Sequence, residues 1–282
     1  MMKPRYCILL LCALLAGCLG KVRTDDAFHQ QLVVEGRIEE GQGAEVMLTL
    51  NLPYADRLTE EMLADAVVRW AKVTLACGEE TEILTGYNSD AYFPHFVYRS
   101  HRIMGETGKK YRLTVEYSGR TLTAETTVPE PLDLEALECV AIDDEYYTIR
   151  ARFEDPAAEN AYFLECLTPE TTYFRPALLG IVDRSLFPDG RADITVNRPL
   201  DYVHIKEYTQ YFRRNEEVIV RFSTTGRFGY DYWSLFENEV LNALNPIFPS
   251  DNALPTNIEG DGRGIWCGYG SRYYTARYPE KS

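Results

Sequence analysis

Residues 111–128 read YRLTVEYSGRTLTAETTV. Tyr111, Leu113, Val115 and Tyr117 recur at every second position, the period of a strand with one apolar face. Leu122, Ala124 and Thr126 share one face of the outgoing segment, with Thr121, Thr123, Glu125 and Thr127 opposite. Ser118-Gly119 between them can reach the positive φ values of a tight turn. The stretch is an antiparallel hairpin. It stops at Pro129-Glu130-Pro131, which the sequence offers as a domain boundary.

The same patterning extends in both directions. Upstream, Leu32 to Ile38 is a β-branched run, and Val46, Leu48 and Leu50 alternate after a glycine turn. Val67 to Leu75 reads as a strand, and Thr59 as the N-cap of a short helical turn. Downstream, Tyr146 to Phe153, Ala161 to Leu167, Ala192 to Val196, Val203 to Tyr208 and Glu217 to Ser223 read as strands. One helix is expected, from about Tyr230 to Leu244, because Trp233, Phe236, Val240, Leu241 and Leu244 fall on one helical face. The expected class is all-β and mainly antiparallel. Residues 30–129 would form an immunoglobulin- or fibronectin-like sandwich, and 132–282 a second β-rich domain with one helix.

The N-terminus reads as an address. Lys3 and Arg5 precede an apolar run from Cys7 to Leu15, too short to span a bilayer, and Leu15-Ala16-Gly17-Cys18 follows. Small residues before a cysteine look like a lipobox. Residues 1–17 are then a cleaved signal peptide, Cys18 carries covalent lipid, and 18–29 is a tether. The alternative is a plain secretory signal with an incidental cysteine. Acyl chains on Cys18 give stable anchoring, since each buried methylene contributes about 0.8 kcal/mol. The 282 residues hold 29 basic and 43 acidic side chains, a formal charge of −14. Such a surface repels phosphate, so nucleic acid is excluded as an expected partner.

No motif announces a reaction. There is no HExxH, no CxxC pair and no GxSxG elbow. Cys77, Cys139, Cys166 and Cys267 are scattered, and either disulfides or isolated buried thiols suit them. Asp251, Asn252, Asn257, Glu259 and Asp261 make an oxygen-rich patch that invites Ca²⁺ but lacks EF-hand spacing; neither a metal nor any other cofactor is expected. Tyrosine is abundant, with 20 residues. Trp266, Tyr269, Tyr273 and Tyr274 sit among Gly260, Gly262, Gly264, Gly268 and Gly270, and these four aromatics are the expected binding anchors. No catalytic residue is expected.

Asn245-Pro246-Ile247-Phe248, Asn257-Ile258-Glu259-Gly260 and Gly262-Arg263-Gly264-Ile265-Trp266 together resemble the bacterial lipoproteins grouped as domain of unknown function 4249, found in Bacteroidota. Leu32-Val33-Val34-Glu35-Gly36, the 111–128 hairpin and Phe153-Glu154-Asp155-Pro156 agree in order and spacing. The resemblance implies an outer-membrane lipoprotein, often encoded beside a TonB-dependent transporter, with an accessory binding role and no catalytic residues to carry over. The alternatives are a carboxylate-dependent hydrolase of the cell envelope and a structural or adhesive surface protein.

Overall fold

The computed structural model describes residues 29–52, 59–156, 160–200, 208–243 and 253–279. In chain order its first half holds β1 (Leu32–Glu39), β2 (Gly43–Leu50), α1 (Glu60–Ala66), β3 (Lys72–Cys77), β4 (Glu80–Ile83), β5 (Thr85–Asn88), β6 (Phe96–Met104), β7 (Lys110–Tyr117) and β8 (Arg120–Thr127). The second half holds β9 (Ala136–Ala141), β10 (Tyr146–Glu154), β11 (Ala161–Leu167), β12 (Arg175–Asp183), β13 (Arg191–Val196) and β14 (Phe212–Arg213). It ends with β15 (Glu217–Thr225), α2 (Arg227–Ala243) and β16 (Gly262–Arg277).

Strands β7 and β8 are the hairpin read from residues 111–128, with Tyr117 opposite Arg120. Ser118 and Gly119 take φ values of 49° and 78°, as that turn requires. Thr59 caps α1, its hydroxyl accepting from the Met62 amide at 3.2 Å. The strand expected from Val67 starts only at Lys72. Val67 makes one isolated bridge to Thr49, and Trp70 stands 91% exposed outside any strand. Helix α2 starts one turn earlier than expected; Leu244 lies outside the described residues, as do residues 203–207 of the strand expected from Val203.

The strands make a β-rich, mainly antiparallel, sandwich-like arrangement. An eight-stranded sheet runs β12-β11-β15-β16-β1-β2-β6-β5. Its inner face is covered by two four-stranded sheets: β4-β3-β7-β8 over the first half, and β13-β10-β14 with β9 over the second. Two apolar clusters result, one under each of the smaller sheets. One gathers Val34, Ile38, Leu75, Leu113 and Trp266; the other gathers Phe153, Tyr162, Phe222 and Ala276.

The boundary expected at residues 129–131 therefore parts two cores, but 30–129 and 132–282 do not part as two bodies. Gln31–Ser282 forms one compact unit. The reason is β16, which pairs parallel with β1 and antiparallel with β15, and which gives Trp266 to one core and Ala276 to the other.

Trp266 is the first expected anchor that the fold reassigns. It is fully buried, its indole Nε1 donating to the Tyr111 carbonyl at 3.1 Å. Its ring lies over Gly36, its partner in the β1–β16 register; a Cβ there would come within 2.7 Å of the indole. Nearby glycines also serve packing. Side chains at Gly268 and Gly270 would strike the main chain of Thr127 and of Glu130-Pro131.

Truncating a buried indole loses its contacts and leaves a cavity. Trp266→Ala is therefore expected to destabilise the protein by about 3–5 kcal/mol, measured by chemical denaturation. A variant as stable as the parent would contradict this placement.

Candidate functional site

Period-two alternation gives the eight-stranded sheet two different faces. On β1, Leu32, Val34 and Ile38 point into the core, so Glu35, Arg37 and Glu39 point outward. On β11 and β15, Leu164, Cys166, Val220 and Phe222 point inward, leaving Glu165 and Arg221 on the outer face. The ladder then aligns Glu165 with Arg221, Arg221 with Tyr273, Arg37 with Glu45 and Glu45 with Arg99. Charges of alternating sign thus cross the sheet from one half of the chain to the other.

They are closely paired. Arg221 Nε donates to Glu165 Oε2 at 2.7 Å, and its Nη2 donates to Glu165 Oε1. Arg37 reaches Glu165 at 3.3 Å and Glu39 at 2.5 Å. Arg221 also lies 3.5 Å from Glu39, whose other oxygen accepts from the Tyr273 hydroxyl at 2.7 Å. Arg37 sits over the Tyr269 ring and Arg221 over Phe174, with centroid distances of 4.7 and 4.3 Å. Glu45 accepts from the Tyr92 hydroxyl and lies 3.6 Å from Arg99.

This network floors a cleft with two chambers. The charged chamber has a volume of about 460 Å³, between the sheet and the loops carrying Tyr92, Phe93, Tyr173 and Phe174. The apolar chamber has about 590 Å³, walled by Phe163, Leu178, Trp233, Phe236, Val240 and Leu241. Helix α2 supplies four of those six residues, the apolar face its spacing predicts. Trp233 stacks on Phe163 at 4.8 Å and donates to the Tyr269 hydroxyl at 2.7 Å, seating the helix on the sheet. Glu35, Glu165, Phe93, Tyr173 and Phe174 line both chambers. Over the mouth, Phe93 stacks on Tyr173 at 6.0 Å, and the Thr172 hydroxyl donates to the Asp90 carbonyl. The two halves thereby meet above the cleft as well as below it.

Glu35 and Glu39 share a strand and a face but not an environment. Burial pushes the Glu39 carboxyl up, but Arg37 and Arg221 outweigh it and, with Tyr273 and Ser271, hold it at about 2. Glu35 is open to the cleft yet ringed by protein. Enclosure raises its carboxyl to about 7; Arg37 opposes that rise, Glu165 adds to it and Arg221 opposes it again. Tyr232 faces Glu35 from α2.

The four expected anchors do not share a surface. Trp266 and Tyr274 lie on the inner face of β16, Tyr269 and Tyr273 on the outer one. Trp266 is core. Tyr274 is half-buried and accepts from the Leu134 amide at 2.8 Å, so it holds the inter-half linker. Tyr269 is buried beneath α2. Tyr273 alone is exposed, and it lines the charged chamber.

The oxygen-rich patch is spent on structure. Asn257 brackets the Trp266 main chain at 3.0 and 2.8 Å, Glu259 pairs with Thr123, and Asp261 lies 3.3 Å from Arg120. Asp251, Asn252 and Cys18 lie outside the described residues. Cys77, Cys139, Cys166 and Cys267 are free thiols.

Two tests follow from this geometry. Arg221→Met leaves the buried carboxylates of Glu165 and Glu39 with one guanidinium between them, and should cost about 3–5 kcal/mol in denaturant titration. The second test is Glu35→Gln. A carboxyl raised from its usual 4.5 to about 7 costs the native state stability as pH climbs through that window. Glu35→Gln should therefore melt higher than the parent at pH 8, and the gain should vanish by pH 4.5. Equal gains at both pH values would contradict the assignment.

No curated protein matches the chain. A family model matches residues 21–270, reaching from before β1 into β16 and so spanning both halves and every cleft residue named above except Tyr273. The chain belongs to the family described as Domain of unknown function (DUF4249).

Proposed function

We propose that the protein is a lipid-anchored, non-catalytic binding module of the outer membrane, working as an accessory to a TonB-dependent transporter. The observation that carries the binding role is the two-chambered cleft, polar on one side and apolar on the other, where small-molecule sites are usually found. Glu39, Glu165, Arg37 and Arg221 on its floor are held by one another before any ligand arrives, so they are preorganised. Anchoring through lipid on Cys18 rests on the Leu15-Ala16-Gly17-Cys18 pattern. No described helix is long and apolar enough to cross a membrane.

One observation favours the hydrolase alternative: Glu35 and Glu39 line one chamber with carboxyls moved in opposite directions, as in acid–base pairs. Binding is favoured over it because Arg37, Arg221 and Tyr273 occupy the oxygens of Glu39 and Glu165 that a reacting carboxylate needs free. A flat tyrosine-rich adhesive face has less support, since Trp266, Tyr269 and Tyr274 are buried or half-buried.

Affinity purification from native outer membrane, with Cys18→Ala alongside, tests the proposal. The parent should incorporate labelled palmitate and bring down a TonB-dependent transporter, and the variant should lose the label. Palmitate persisting in the variant would sink the anchor. Recovery of the parent without a transporter would sink the accessory role.

A further inference from the structure

Glu35 stands at the wall common to both chambers. The other carboxylates of the charged chamber have donors: Glu39 and Glu165 take Arg37 and Arg221, and Glu45 takes Tyr92 and Arg99. Glu35 makes no hydrogen bond and no ion pair among the described residues. Its nearest cations, Arg37 and Arg221, are already committed to Glu39 and Glu165. A carboxylate that opens into a cleft and has no counter-charge of its own is a group that a cation entering the cleft pairs with.

The surroundings suit a cation with an apolar body. Phe93, Tyr173 and Phe174 bring three aromatic rings to the junction of the chambers. Beyond them lies the apolar chamber beneath α2, with Trp233, Phe236, Val240 and Leu241. The formal charge of −14 draws cations toward the protein from a distance.

We propose that the cleft takes an amphipathic organic ammonium ion, its nitrogen against Glu35 and its hydrocarbon or aromatic body in the chamber beneath α2. The assignment rests on the binding role proposed above and names the chemistry of the ligand. An anionic amphiphile would bring its charge against Glu35 and find Arg37 and Arg221 already engaged. Arg175 also lines the apolar chamber, and an anionic probe sets it against Glu35.

Octylammonium, octanol and octanoate share one chain length and differ in charge, and each is small against about 590 Å³. Calorimetric titration of the full chain at pH 8 should give octylammonium affinity at least about 10-fold above octanoate, the effect of one charge-assisted contact. Glu35→Gln should bring octylammonium within about 3-fold of octanol. Octanol should bind parent and variant alike, which also shows that the variant folds. Octanoate binding as tightly as octylammonium, or the preference surviving in Glu35→Gln, would overturn the ammonium assignment. Octanol binding with no charge preference would overturn that assignment and leave the binding role standing. Failure of all three probes to bind would overturn both.

Discussion

The parallel pairing of β1 with β16 is the constraint on which the structure depends. From Leu32 opposite Gly262 to Glu39 opposite Tyr269, it joins the first described strand to the last. On one side of this seam lie β2, β6 and β5; on the other lie β15, β11 and β12. Without it, Arg37 would not meet Glu165, nor Glu39 meet Arg221. The charged floor belongs to neither half alone. Nor does the cover, because the loop of Phe93 comes from one half and the loop of Tyr173 from the other.

The two faces of the long sheet divide the work. The inner face is apolar and closes two cores under two smaller sheets, which is where burial supplies stability. The outer face spends some of that stability on charge. Buried ion pairs rarely stabilise relative to apolar residues, so Glu165 and Arg221 inside otherwise apolar strands mark a demand beyond packing. Glu35 and Glu39 show how local this is. Four positions apart on one strand, they titrate in opposite directions: Arg37, Arg221 and Tyr273 outweigh burial at Glu39, whereas burial and Glu165 prevail at Glu35.

What the sequence discloses is what short range dictates. The 111–128 hairpin, the Thr59 cap and the apolar stripe of α2 depend on neighbours within a few positions. The β1–β16 seam has no local mark, so two cores joined by one sheet read as two domains. The four aromatics of β16 misled for a simpler reason: counting by two puts Trp266 and Tyr274 on one face and Tyr269 and Tyr273 on the other. Counting by two also holds the signal that finds the cleft. Glu35-x-Arg37-x-Glu39, Glu165 between Leu164 and Cys166, and Arg221 between Val220 and Phe222 are charges set into strands that otherwise read as buried. Which of them meet is a matter of register between distant strands.

The seam also dictates an order of assembly. A strand that emerges early from synthesis finds its β2 neighbour within a short turn, but its other edge must wait for residues 262–269, more than two hundred positions later. Contacts of such separation form slowly because a long loop must close first. Until then β1 presents an open edge, and Glu35, Arg37 and Glu39 stand on that edge as gatekeepers against pairing with other chains. The charges that line the cleft in the finished sheet are thus of the kind that discourages pairing at an open strand edge before the last strand arrives.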